Sequence, residues 1–145
     1  MNLILIAVRD GFLKALKTLA IILKVVLPVY AIVVLIRHSP IMGWLELGMT
    51  PAMKLFHLPS TAVVPLVTGF FTDEYSVVAA SKQFGFSSME MTTIAMMTMV
   101  AHGLPVEAAI IKKIGLSPVR FTAFRIASFL IIGWMVGWMG GIFQW

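Results

Sequence analysis

The 145-residue sequence contains no cysteine and few charged residues. The lack of cysteine excludes disulfides, thiolate metal sites and cysteine nucleophiles. Charged residues make up 12% of the chain, whereas soluble domains typically carry about 25%. Hydrophobic residues make up 60%, and the mean hydropathy is +1.00. This composition predicts an integral membrane protein, in which every charge inside an apolar segment requires an explanation.

The charges that are present are unequal in sign. The chain has eleven Lys and Arg residues against six Asp and Glu residues. In so apolar a chain this excess is typical of loops that face a cytoplasmic leaflet, so we expect membrane lipid around the protein and no nucleic-acid partner. The sequence also lacks a Ser-His-acid arrangement, an HExxH motif and a Gly-rich phosphate loop. We therefore expect no enzyme and no cofactor, apart from a coupling cation that the sequence does not identify.

Both ends of the chain are predicted to form membrane spans. Residues 3–36 begin as an amphipathic helix and continue as a span, because a bilayer core of roughly 30 Å requires about 20 helical residues. Ser117 and Pro118 predict a helix start, and residues 118–143 are apolar enough to form the last span. Small residues at four-residue intervals favour close packing of membrane helices. In this span they are Gly133, Gly137 and Gly141.

Residues 41–56 are predicted to form a helix that lies in the membrane interface. The segment mixes apolar residues with Glu46 and Lys54, and breaks are expected at Gly48 and at Thr50-Pro51. It is therefore too short and too interrupted to span the bilayer, but it fits the interfacial layer.

Residues 58–84 are predicted to form a re-entrant helical hairpin. The segment is apolar enough to enter the membrane, but Gly69 interrupts its centre. Gly69 is expected to end the first half-helix in the left-handed conformation, and Thr72 is expected to N-cap the second. Asp73 and Glu74 then lie in the first turn of the second half-helix, where the positive end of the helix dipole favours carboxylates.

Two interpretations of this acidic pair remain open. The carboxylates of Asp73 and Glu74 could serve only to cap the second half-helix, or they could bind a ligand or an ion. We favour binding, because ionisable residues inside membrane segments are costly and usually functional. Neighbouring interrupted elements are also typical of transport sites, where unwound backbone holds a polar ligand.

Residues 87–114 are predicted to form a broken membrane helix. The break is His102-Gly103-Leu104-Pro105, and Glu107 follows near the start of the second half. His102 and Glu107 lack the i, i+4 spacing of two metal ligands on one helix. These two residues could hydrogen-bond to the free helix ends at the break, or they could belong to a binding site, and both interpretations remain open. The sequence identifies no metal. The methionines between positions 89 and 99 fit core packing better than soft-metal transport.

Three parts of the sequence resemble a known family. They are PAMKLFHLPSTAVVP at 51–65, then Gly69, then AHGLPVEAAIIKKIG at 101–115. These residues resemble the nucleoside-recognition, or Gate, domain. That domain occurs in spore maturation proteins A and B, in the membrane part of the ferrous-iron transporter B and in the concentrative nucleoside transporters. The resemblance covers roughly residues 15–143 in element order.

The resemblance implies one Gate-type repeat, which is an all-α integral membrane fold in a single domain over residues 1–145. Such a repeat consists of a span, an interfacial helix, a re-entrant hairpin, a broken transmembrane helix and a span. Concentrative nucleoside transporters are similar to two such repeats, inverted relative to one another. A lone repeat therefore implies a homodimer, parallel or antiparallel, or a pairing with a second Gate-domain protein. A prokaryotic cytoplasmic membrane is the expected location.

The resemblance also implies a site for a polar small molecule or an ion, shared by the hairpin tip and the helix break. The tip differs from that of the nucleoside transporters in Phe70-Phe71 and in its two acids, so the substrate is not identified. We predict a half-transporter or gate module whose site forms at a dimer interface. The alternative is a non-transporting membrane interaction protein of the same fold that acts with a partner. The predicted site residues are Thr68, Gly69, Thr72, Asp73, Glu74, His102, Gly103 and Glu107.

Overall fold

The computed structural model describes the backbone of residues 2–143 and the surroundings of the side chains of residues 6–140, other than positions 25 and 29. Within residues 2–143 the regular structure is entirely helical, which confirms the predicted all-α fold. A 3-10 turn, Ser60–Ala62, precedes the third of seven helices. The helices are α1 Asn2–Arg37, α2 Ile41–Lys54, α3 Val63–Phe71, α4 Glu74–Ser81, α5 Ser88–Ala101, α6 Leu104–Lys113 and α7 Pro118–Phe143.

In the part of the chain that the structure describes, three stretches of helix are long and apolar enough to cross a membrane, which agrees with an integral membrane protein. They are Ile6–Arg37, Ser88–Lys113 and Pro118–Gly140. The middle stretch contains α5 and α6 and is interrupted between them. Its 26 residues correspond to about 39 Å of helix at about 1.5 Å per residue. This length is sufficient for a hydrocarbon core of about 30 Å even with a break inside it.

Helices α3 and α4 form a hairpin that cannot cross the bilayer. With 9 and 8 residues, they are about 14 Å and 12 Å long, less than half of a typical hydrocarbon core. The chain after α4 returns to the end of α1, because the guanidinium carbon of Arg37 lies 5.8 Å from the centre of the Phe84 ring. We therefore expect the hairpin to enter and leave on one side of the membrane, as predicted for a re-entrant element.

The conformation of the hairpin tip differs from the expected one. Gly69 lies inside α3, so the prediction of a left-handed helix end at this position is wrong. The Thr72 hydroxyl donates to the Thr68 carbonyl oxygen at 2.6 Å, and Asp73, not Thr72, is the N-cap of α4. An Asp73 carboxylate oxygen accepts from the Ser76 amide at 2.9 Å. The reason is competition for partners: the threonine hydroxyl satisfies the end of its own helix, while the carboxylate accepts from free amides.

Helix α2 also continues further than the sequence indicates. The expected breaks at Gly48 and Thr50-Pro51 are absent, because the helix runs unbroken from Ile41 to Lys54. Pro51 lies in its last turn and cannot donate to the Leu47 carbonyl oxygen, so the helix continues through this position with one backbone hydrogen bond fewer. Trp44 and Leu47 are exposed, while Met42 and Met53 are buried against the rest of the chain. Such a helix, with one face buried and one apolar face exposed, suits the membrane interface.

The core lies where the hairpin and α7 pack on α5. Leu66 of α3, Val77 of α4 and Ile94 and Met97 of α5 are almost completely buried. A methyl group at Gly133 would meet the Met97 and Phe56 side chains, and one at Gly137 would overlap the Phe56 backbone. These two glycines therefore allow close packing within the chain. The surroundings of Gly141 lie outside the described residues.

Candidate functional site

Two glycines bring the hairpin tip into contact with the break between α5 and α6. A methyl group at Gly69 would lie 2.9 Å from the Thr98 methyl and 3.0 Å from a Val77 methyl, so this position leaves no room for a side chain. Gly103, the N-cap of α6, has a φ of +57°, in the left-handed region that favours glycine. Its amide donates to the Gly69 carbonyl oxygen at 2.9 Å. The tip and the break are thus joined through their backbones.

Side chains from both elements meet beside this contact. The Thr98 hydroxyl oxygen lies 3.0 Å from Glu74 Oε2, and His102 Nδ1 lies 3.5 Å from Glu74 Oε1. This Oε1 atom is buried and accepts no hydrogen bond from the residues that the structure describes. About a third of each of the Glu74 and His102 side chains is exposed. The three residues therefore form a partly open polar cluster with an unused carboxylate acceptor, which we call the Glu74 cluster.

The Thr98 hydroxyl has three competing acceptors, of which the Ala95 carbonyl oxygen, at 3.2 Å, is the most distant. Its oxygen lies 3.0 Å from Glu74 Oε2 and also 3.0 Å from the Ile94 carbonyl oxygen of its own helix. A hydroxyl carries a single proton, so it donates fully to only one of them at a time. A ligand that takes the Glu74 carboxylate would release the hydroxyl to its own helix without leaving a buried donor unsatisfied.

The length of α5 predicts a position near the middle of the membrane for the Glu74 cluster. Thr98 follows Ser88, the first residue of α5, by ten positions, which corresponds to about 15 Å of helix. This is about half of a hydrocarbon core of roughly 30 Å. A carboxylate at such a depth is unfavourable unless it binds a charge, hydrogen-bond donors or water.

The other residues predicted at the tip have local partners. Asp73 caps α4, and the hydroxyls of Thr68 and Thr72 donate to carbonyl oxygens of α3. Thr68 and Thr72 also line an apolar groove of about 230 Å³ between α1, α2 and α3, whose described lining residues do not include Glu74. The structure therefore places the two threonines toward this groove and assigns the polar contact with the break to Glu74.

Glu107 lies away from the hairpin tip and contacts α7. Its carboxylate forms an ion pair with the guanidinium of Arg125, and the Arg125 Nε donates to the Val100 carbonyl oxygen at 2.5 Å. The guanidinium carbon lies 5.5 Å from the centre of the Phe121 ring. Glu107 thus links the second half of the broken helix to α7.

Sequence reasoning missed Thr98 and Arg125. A signal for Thr98 was its position four residues before His102, which places both on one face of α5. A signal for Arg125 was a charge inside an apolar span, which requires a partner. The described residues contain no group of three or more His, Asp and Glu side chains that could hold a metal ion.

Comparison with known proteins shows the family to which the sequence is similar. The family model described as "Nucleoside recognition", named Gate, matches residues 19–117. The uncharacterized membrane protein YvoD of Bacillus subtilis (strain 168) is 32% identical over 120 residues. This match covers 81% of the present chain, and the chain spans only 38% of the length of that curated relative. No solved structure matches.

Proposed function

Because the chain belongs to the nucleoside-recognition (Gate) family, we propose that it is a membrane half-transporter or gate module. The family assignment confirms the resemblance inferred from the sequence, and this family is associated with membrane proteins rather than with enzymes. The ligand is a polar small molecule or an ion, bound between the hairpin tip and the broken helix. We propose a prokaryotic cytoplasmic membrane as the location, no resident cofactor, and at most a coupling cation.

The Glu74 cluster is the observation that supports this proposal. Glu74 from the hairpin reaches Thr98 and His102 of the broken helix, and its Oε1 atom is buried without a hydrogen-bond donor. A structural cap would not require such an arrangement, because Asp73 already caps α4. An unused carboxylate acceptor at mid-depth favours binding of a cation or of a ligand with hydrogen-bond donors.

A second chain is proposed to complete the site. About a third of the Glu74 and His102 side chains is exposed, and in a lone chain the exposed part would face hydrocarbon. Unpaired polar groups there cost several kcal/mol each, so a polar surface at this depth requires protein or water over it. The partner is a second copy or another Gate-domain protein, and the greater length of the relative is compatible with a site that needs more than this chain.

Uptake into proteoliposomes tests the proposal with a matched pair of variants. The purified chain is reconstituted and supplied with labelled nucleosides or with mono- and divalent cations. Glu74→Gln and Asp73→Asn each remove one negative charge, but only the first alters the Glu74 cluster, because asparagine caps a helix as well as aspartate. We expect uptake of one ligand class by the parent and by Asp73→Asn, and its loss in Glu74→Gln.

Two results would contradict this function. If a folded parent chain takes up none of these ligands, the non-transporting interaction protein of the same fold becomes the better explanation. If Glu74→Gln transports as well as the parent, the Glu74 cluster is not the site. Co-reconstitution with a second Gate-domain protein of the same cell separates an inactive half from a chain that does not transport.

A further inference from the structure

Arg125 contacts both halves of the broken helix. Its Nε donates to the carbonyl oxygen of Val100 in the last turn of α5, and its guanidinium pairs with the carboxylate of Glu107 in the first turn of α6. Phe121, one turn earlier on α7, lies against the guanidinium. One side chain of α7 therefore fixes the two residues that flank the break.

The charges at the break match the helix ends. The last carbonyls of α5 lack intrahelical donors and carry the negative end of the helix dipole, which a cation stabilises. The first turn of α6 carries the positive end, which the Glu107 carboxylate stabilises. The positive charge of Arg125 thus stabilises the end of α5, and the negative charge of Glu107 stabilises the start of α6. The pair as a whole is neutral.

Arg125 lies deep enough to need these partners. It follows Pro118, the first residue of α7, by seven positions, which corresponds to about 10 Å of helix. Its side chain is only 11% exposed. A cation in such a place is stable only with a counter-ion and hydrogen-bond acceptors. Since both come from the broken helix, movement of either half away from α7 would leave a buried charge unpaired.

We propose that Arg125 is a positioning residue for the Glu74 cluster, because it clamps α5 and α6 to α7 on either side of the break. His102 and Gly103 lie between the two clamped residues, so the clamp fixes where they meet the hairpin. Two contacts depend on that placement. One is the hydrogen bond from the Gly103 amide to the Gly69 carbonyl oxygen, and the other is the 3.5 Å distance between His102 Nδ1 and Glu74 Oε1. The role of the cluster in binding rests on the proposed function, whereas the clamp itself does not.

Distance measurements between spin labels test the clamp without any ligand. The chain has no cysteine, so two introduced cysteines are the only labelling positions. A pair at Val78 of α4 and Ile110 of α6, both exposed, reports the distance between the hairpin and the second half of the broken helix. A control pair at Leu35 of α1 and Val78 reports the packing of α1 on α4, which does not involve Arg125.

Two variants break the clamp in different ways. Arg125→Lys keeps the charge. A lysine ammonium, however, lacks the planar guanidinium that contacts Val100, Glu107 and the Phe121 ring at the same time. The double variant Glu107→Gln/Arg125→Met removes both charges, and such replacement of a buried ion pair is usually tolerated by the fold. We expect the Val78–Ile110 distribution to broaden and shift to longer distance in both variants, while the Leu35–Val78 distribution stays unchanged.

The proposal is overturned if the folded double variant keeps the parent's Val78–Ile110 distribution, since the break would then be held without Arg125. It is also overturned if both label pairs change together, because Arg125 would then serve general stability and not the position of α6. A failure of uptake by the parent chain would contradict the proposed function and leave these distances unaffected.

Discussion

At the residue scale, the absence of a side chain is what allows the hairpin to contact the broken helix. Gly69 leaves no room for a methyl group beside Thr98 and Val77, and its carbonyl oxygen accepts the Gly103 amide. The close approach lets Glu74, five residues later, reach α5. The packing of the tip and the polar contacts of the site therefore depend on the same residue.

Substitution Gly69→Ala is expected to destabilise the protein by about 1–3 kcal/mol, the usual effect of overpacking a filled core. Gly48→Ala is the control, because a methyl group at Gly48 in α2 meets nothing within 4 Å. The control should be neutral or slightly stabilising, since alanine favours helix over glycine by about 0.5–1 kcal/mol. Denaturant unfolding in detergent measures both, and an equal response of the two variants would contradict the close contact at Gly69.

The two adjacent acids divide two tasks between them. Asp73 accepts from the Ser76 amide, whereas Glu74 contacts Thr98 and His102. We expect Asp73→Ala to cost about 1 kcal/mol of helix stability and Asp73→Asn to cost little. Hydrogen exchange of the Ser76 amide reports the cap directly. Protection should fall in Asp73→Ala and persist in Asp73→Asn and Thr72→Val; a loss in Thr72→Val would restore Thr72 as the cap.

At the element scale, the short hairpin and the broken helix bring the irregular backbone of two apolar segments together. The backbone ends at the tip and at the break are partly satisfied by each other, through Gly103 and Gly69, and partly by Arg125. Irregular backbone at membrane depth is stable only with such internal partners. The contact between the two elements therefore supplies part of the hydrogen bonding that their irregular backbone needs.

Accessibility labelling tests the re-entrant path of the hairpin. Single cysteines replace three exposed residues, His38 after α1, Lys82 after α4 and Lys113 at the end of α6. A membrane-impermeant maleimide should label positions 38 and 82 to the same extent, because a hairpin that enters and leaves on one side keeps both there. Position 113 should label to the complementary extent. Opposite labelling of positions 38 and 82 would show that the hairpin crosses the membrane.

At the scale of the whole molecule, charge and exposed polar surface bear on how two chains assemble. The predicted topology puts seven basic residues toward the side of the membrane that holds the N-terminus and three toward the other, which favours a cytoplasmic N-terminus. Arg125 pairs with Glu107 inside the membrane, so its charge counts less and the bias is weaker. The first group is Arg9, Lys14, Lys17, Lys112, Lys113, Arg120 and Arg125, and the second is Arg37, Lys54 and Lys82.

The packing of α7 limits the possible dimers. Gly133 and Gly137 are buried against residues of their own chain, so a parallel homodimer through these glycines lacks a free surface. An arrangement in which a second chain covers the Glu74 cluster remains. In the two-repeat transporters that the family resembles, the corresponding halves are inverted.

The same cysteine at position 38 decides the orientation of the partner. In intact cells, an inverted homodimer should give labelled and protected populations in similar amounts, because half of the chains insert in each direction. A single population would contradict the inverted homodimer and favour a pairing with a separate Gate-domain protein of opposite orientation. A control cysteine replaces Glu90 in the first turn of α5. It should be labelled to the same extent as the cysteine at position 38, whether the cells contain one population or two.

The sequence by itself determined the class, the order of the elements and the location of the two interruptions. A low content of charge and long apolar runs exclude a soluble fold, because only a lipid environment accommodates them. The interruptions at Thr72-Asp73 and His102-Gly103 fall inside the segments that glycine, proline and acidic residues mark in the sequence, because such residues in apolar segments are local signals. The family resemblance followed from the same residues.

Only the tertiary structure decided which polar groups meet. The contacts of Glu74 with Thr98, separated by 24 positions, and of Arg125 with Val100, separated by 25, depend on how helices pack, which local patterns do not contain. The roles of Thr72 and Asp73 were exchanged because two adjacent residues compete for the same helix ends, and small differences in backbone direction decide the outcome. The close approach at Gly69 likewise depends on Val77 and Thr98, which belong to other helices.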